Sequence, residues 1–195
     1  MFRAKEDSMT DRSITMTSRE VQALLAGMKT QTRRVLNLKG PGSLAGLPVD
    51  TINILKGKLH CTVGDFGFVQ PLPYAIGDRL WCREDYGSDG KGGPLRYPAT
   101  DDMQGCDRIL PAIVMPLSAS RLTLIVTDVW VQRVQEISDD DAMAELGLNT
   151  DYATDMFDIE WDRCHTRPEH QWKANPWVCA LTFDVVKANI DEVTA

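Results

Sequence analysis

The sequence predicts an α+β chain, a small mixed β-barrel with short flanking helices. Three observations carry that prediction. Short β-prone runs separated by glycine turns recur along the chain. Two short segments carry both a helix start and a helix stop. The last patterned segment alternates cleanly enough to be a barrel-closing strand.

The elements follow in order. Residues 13–16 read as a short strand. Thr17 and Glu20 then stand in capping-box spacing, a hydroxyl three positions before a glutamate. Val21, Leu24, Leu25 and Met28 follow at i, i+3, i+4 and i+7, which is one apolar helix face. Gly27 is placed to end this helix, because the left-handed conformation costs glycine little. Residues 29–34 are then expected to leave it as a structured loop. Residues 37–50, rich in Gly, Pro and Leu, read as an insertion or long loop. The runs near 51–55, 58–63 and 66–70 are split by Lys56-Gly57 and Gly64-Asp65, which predicts a hairpin or meander. Leu80-Trp81-Cys82-Arg83 is a strand after the Gly77-Asp78 turn, and the glycine-rich residues 86–107 are expected to form a long surface loop.

Residues 120–134 form the best strand. Leu122, Leu124 and Val126 alternate in one phase and Val129 and Val131 in the other. The change of phase near Asp128 predicts a β-bulge, a common device for bending barrel strands. Ser138 caps a short helix whose first turn holds Asp139, Asp140 and Asp141, where negative charge suits the helix dipole. Ala142, Met143 and Leu146 are its buried face, with Glu145 at the margin, and Gly147 ends it. Phe157 and Trp161 are spaced as one face of a short helix, and Asn175-Pro176 forces a turn. Trp177, Cys179, Leu181, Phe183 and Val185 then share one face of the final strand.

The bulk properties narrow the function classes. The chain has 195 residues, room for one domain with a real core. Its net charge is −7 and its pI about 4.9. That argues against broad duplex binding, which needs many phosphate-neutralising cations. It leaves room for a small basic cleft that takes a nucleoside or one extruded base. No apolar run approaches a membrane span, and the polar N-terminus lacks a secretory signal. Five scattered cysteines without a CxxC pair point to reduced thiols in a cytoplasm. The chain reads as a monomer.

The densest polar constellation is Lys29-Thr30-Gln31-Thr32-Arg33-Arg34. It can supply a base, a nucleophilic hydroxyl and an oxyanion partner. For Lys29 to act as a base its pKa would have to fall from about 10.4 to roughly 7–8. Burial or the charges of Arg33 and Arg34 would push it that way, while the helix C-terminus pulls back. On composition alone the run is equally a set of solvated charges at a helix end. Glu145 can point into a cleft beside the core, or be an ordinary exposed helix glutamate. Arg83 with Glu84 after Trp81, and Arg121 at the start of the long strand, can contact a phosphate or form a structural ion pair. Cys164-His165 with His170 match no standard zinc spacing, so no metal is expected.

Together these residues resemble a known family. Leu25-Ala26-Gly27-Met28-Lys29-Thr30-Gln31-Thr32-Arg33-Arg34 resembles the G-x-K-x-x-T-x-R signature of ASCH domains, members of the PUA-like superfamily. Gly77-Asp78-Arg79-Leu80-Trp81-Cys82-Arg83-Glu84, Met115-Pro116, Ser120-Arg121-Leu122-Thr123-Leu124 and Asn175-Pro176-Trp177-Val178 are similar to ASCH-like proteins of phages and prophages. The resemblance implies one PUA-like (ASCH) domain over 13–186, with insertions near 37–73 and 86–107, a flexible leader at 1–12 and a tail at 187–195. It implies a cytoplasmic protein of a bacterial host, phage or prophage encoded, needing no cofactor. It would bind a nucleoside, RNA or a single modified base. One branch removes the acetyl group of N4-acetylcytidine. Carried over, Lys29 is the base, Thr32 the nucleophile and Glu145 the acid that protonates the leaving amine. Arg33, Arg34, Trp81, Arg83, Glu84 and Arg121 would bind the ligand. Two departures are visible: the chain is much longer than the compact hydrolases, and Leu117 and Ser118 stand where the phage-type pattern has an Arg-Trp pair.

Overall fold

In the computed structural model the chain is an α+β protein whose described residues are 10–42, 48–88 and 93–193. Residues 1–9 of the expected 1–12 leader, residues 43–47 and 89–92 of the two insertions, and residues 194–195 of the tail lie outside the described residues, and the end of the leader segment belongs to a strand.

The first strand, β1 (Asp11–Thr15), feeds helix α1 (Ser18–Leu25) through a capping box in which Thr17 accepts from the Glu20 amide and Glu20 accepts from the Thr17 amide. Val21 and Leu24 are fully buried, as the face predicts, but Met28 is 55% exposed. The helix ends at Leu25, and Gly27, at φ +70°, turns the chain before Met28 can continue the face. The expected loop at 29–34 is mostly a strand, β2 (Gln31–Val35). Its run of polar side chains hides a strand because the buried partners on both faces are themselves charged or come from distant segments.

The meander is β3 (Thr51–Leu55), β4 (Lys58–Val63) and β5 (Phe66–Pro71), paired antiparallel as one sheet. Lys56 and Gly57 both take positive φ, which is what a two-residue hairpin turn requires. Strand β6 (Arg79–Arg83) pairs parallel with β1, and the glycine-rich stretch contributes the small hairpin β7 (Tyr86–Ser88) with β8 (Arg108–Leu110). The long strand is β9 (Thr123–Arg133). Opposite it, Thr182 faces Asp128 and Phe183 faces Val126, so Thr127 is the extra residue of a bulge where the phase change predicts one. Helices α2 (Asp139–Leu146) and α3 (Ala153–Cys164) precede the last strand, β10 (Trp177–Val186). Among the described residues α3 is the longest helix, and it carries the expected Phe157/Trp161 face.

The main sheet runs β1-β6-β9-β10-β2. No pairing among the described residues joins β1 to β2, so the sheet does not close into a barrel. Its two faces have different partners. Cys179, Leu181 and Phe183 of β10 point into a core shared with Leu80, Leu124 and the meander's Leu59 and Phe68. Val178, on the other face, packs with Phe157, Trp161 and Ala142 from the helices. That alternation assigns the side chains of β2 as well, since Arg33 is opposite Ala180 and Thr32 is opposite Leu181. Among the described residues no helix is long and apolar enough to cross a membrane.

Candidate functional site

The end of α1 places Lys29. The amides of Met28 and Lys29 both donate to the Ala23 carbonyl, folding the chain back over the helix terminus. The Thr30 amide then donates to the Ala144 carbonyl of α2 at 2.9 Å, which docks the start of β2 on that helix. Lys29 is thereby turned inward and is 1% exposed. Its Nζ donates to the Glu145 carbonyl at 2.6 Å and lies 3.4 Å from Glu20 Oε1. The last turn of α2 has no basic residue of its own. Lys29 supplies one from outside, at the end of the helix where a cation is favoured.

Edge strand β2 leaves the Arg33 amide pointing away from β10. Glu145 Oε1 accepts that amide at 2.7 Å, and Oε2 accepts Arg33 Nη1 at 2.7 Å. Asp141, one turn earlier on α2, lies 3.2 Å from Arg33 Nη2 and accepts Gln31 Nε2 at 2.8 Å. The Arg33 side chain is completely buried, so its charge depends on these carboxylates. Its Nε has no hydrogen-bond partner among the described residues.

A cavity of about 100 Å³, open to solvent on one side, is lined by Glu20, Lys29, Arg33, Arg34 and Glu145, with Phe157 and Trp161 of α3 and the capping His165 as its wall. Trp161 and His165 stack, ring centroids 3.9 Å apart, and the Trp161 indole donates to the His170 carbonyl. Arg19 and Arg163 both pair with Glu160 at the rim, at 2.8 and 2.6 Å. Cations outnumber carboxylates around the cavity by two, in a chain of net charge −7. Arg34 donates to the Thr15 carbonyl at 3.1 Å.

Three titrating groups in the wall are perturbed, one of them Cys164, whose thiol is pushed up by burial. Burial works to raise Glu20, but the charges of Lys29 and Arg34 and the hydrogen bonds from Thr17 outweigh it and hold the carboxyl below its usual range. Burial lowers His165, the Arg34 charge adds to that, and the bond to the Trp161 carbonyl opposes it. The ring is therefore neutral at pH 7.

The cavity brings together Lys29, Arg33, Arg34 and Glu145 of the sequence-derived candidates. The other five are elsewhere. The Thr32 side chain is on the opposite face of β2 from Arg33, does not line the cavity, and its buried hydroxyl has no partner among the described residues. Arg33's neighbours on α2 draw it to one face, and Thr32 follows Leu181 to the other. Glu84 holds Arg121 through two bonds of 2.8 and 2.9 Å, and Arg121 lies over the Tyr97 ring at 4.0 Å. Arg83 lies over Trp81 at 4.6 Å. Of these contacts, the one between Arg121 and Tyr97 reaches into the glycine-rich stretch. Sequence reasoning gave no site role to Glu20, Trp161 and His165. A usable signal was present: Phe157, Trp161 and His165 recur every four residues on one helical face.

No family model matches the chain, so the ASCH resemblance rests on the quoted residues alone. No curated protein matches it either. Among solved structures the chain is similar to protein EF3133 from Enterococcus faecalis, described as family-model DUF984. Identity is 13%, covering 96% of this chain and 86% of that one, with a TM-score of 0.46. At that distance nothing about the site or the activity follows.

Proposed function

We propose that this chain is a nucleoside- or RNA-directed protein of the ASCH type that holds a single base in the cavity beside Lys29. The observation that carries the proposal is the convergence of Lys29, Arg33, Arg34 and Glu145 on one opening with an aromatic wall. A flat, partly polar ring with exocyclic acceptors suits such a site: the half-buried His165 ring, backed by the buried Trp161, offers a stacking face, and the cations lining the opening offer donors. A PUA-like barrel left open between β1 and β2 is the finer reading of the α+β fold. Its support is that the main sheet curls until Arg34 on one edge strand reaches the Thr15 carbonyl on the other.

The second reading is hydrolysis of the N4-acyl amide of N4-acetylcytidine by Lys29, Thr32 and Glu145. The orphaned Thr32 hydroxyl favours it, because a buried hydroxyl without a partner is unusual. Against it, Lys29 is engaged by a carbonyl and a carboxylate, and both Glu145 oxygens already accept from Arg33. Non-catalytic binding therefore ranks first. The test is to incubate the protein with N4-acetylcytidine and separate the products, measuring binding in parallel by calorimetry. Binding without release of cytidine is expected. Cytidine release by wild type that is lost in Thr32→Val would establish the hydrolase instead, and absence of binding would remove both readings.

A further inference from the structure

Arg34 does not belong to one cleft alone. It also lines a second cleft of about 540 Å³, bounded by Arg34, Asn37, Lys39, Gln70, Pro73 and Tyr74. Its described lining carries two cations and no carboxylate, on a protein whose net charge is −7. Arg12, which lines the adjoining pocket with Asp78, lies with its guanidinium 6.0 Å from the Tyr74 ring and donates to the Pro73 carbonyl. Tyr74 is half-buried and packs against the main core, so its ring is a fixed surface and not a mobile one. Asn37 and Gln70 add neutral hydrogen-bonding groups, and Gln70 donates to the Asn37 carbonyl across the cleft at 3.4 Å.

A cationic wall shared by two clefts is where a linking anion would pass from one to the other. We propose that the second cleft holds the nucleotide adjoining the one whose base fills the first cavity. The preferred ligand is then a single-stranded oligonucleotide and not a free nucleoside. Tyr74 gives the second base a stacking face, Arg34 meets the linking phosphate, and Lys39 meets the next one. The proposal rests on the base-binding reading of the first cavity and extends it along the strand.

The test compares cytidine 5′-monophosphate with a three-residue RNA carrying cytidine in the middle, each titrated into the full-length chain. Wild type should bind the trimer at least about tenfold more tightly than the mononucleotide, the scale expected of one stacked base and its phosphate. Tyr74→Ala should remove most of that gain and leave the mononucleotide unchanged. Tyr74→Phe, which keeps the ring, should retain it and shows that the chain still folds. Lys39→Gln should lower the salt slope of trimer binding by about 0.7, the loss of one single-strand phosphate contact. Equal affinity for the two ligands would overturn the proposal, as would a Tyr74→Ala loss shared equally by both. The first cavity is read separately: mononucleotide binding should weaken in Trp161→Ala. If it does not, or if neither ligand binds wild type, the base-binding reading fails and this extension with it.

Discussion

Arg33 and Glu145 are the pair on which the site's geometry depends. Two short hydrogen bonds join them, one through the backbone and one through the guanidinium, in a place where neither charge is solvated. Glu145→Ala would leave a buried arginine and an edge-strand amide unpaired, and should cost about 3–5 kcal/mol in urea-unfolding measurements. Glu20 makes a pH-dependent contribution. Its carboxyl titrates lower in the folded chain than in the unfolded one, so the folded state binds fewer protons there. The stabilisation is present above the ordinary glutamate value of 4.5 and is lost as pH falls through the lower folded value. Wild type should lose stability in acid more steeply than Glu20→Gln, and equal slopes would rule out this role. The sequence made Lys29 and Glu145 conspicuous through their motif. It said nothing of their partners, because Glu20 looked fully explained by its capping box. Thr32 stood in that motif too, yet strand alternation turns it from Arg33 to the other face of β2.

At the scale of elements, the clearest local signals were turns and caps. The Lys56-Gly57 hairpin, the Ser138 cap and the terminating Gly147 all form where their chemistry predicts. Each depends on a few adjacent residues. The strand β2 was missed because its stabilising contacts, with α2 and β10, lie more than a hundred residues away. Two glycine substitutions separate backbone strain from packing. At Gly27, φ is +70° and an added Cβ meets nothing within 4 Å, so Gly27→Ala should cost only the conformational term, about 1 kcal/mol. At Gly147, φ is +66° and the new Cβ would lie 2.5 Å from Ala23 Cβ on α1. Gly147→Ala should therefore cost about 1–3 kcal/mol more, because it also pushes α1 away from α2. Similar melting-temperature losses for the two variants would contradict this account of the helix contact.

At the scale of the whole molecule, the α+β class was legible because period-two alternation and capped helices are local properties. The open sheet order was not, since strand neighbours such as β1 and β6 are set by contacts between distant segments. The same holds for the cavity, whose walls come from α1, β2, α2 and α3. The layout also predicts thiol chemistry. Burial pushes Cys82 and Cys179 up to about 12; burial and the Glu20 charge also raise Cys164, but that thiol is exposed at the cavity. On access alone, native protein should react first at the exposed Cys164, with Cys82 and Cys179 reacting only on unfolding. The central claim, that a base occupies this cavity, is tested most directly by the Trp indole resonances in ¹⁵N-labelled protein, assigned through Trp161→Phe and Trp81→Phe. On titration with cytidine 5′-monophosphate the Trp161 signal should shift and saturate while Trp81, outside the cavity, stays put. No saturable shift at Trp161, or a larger one at Trp81, would contradict it.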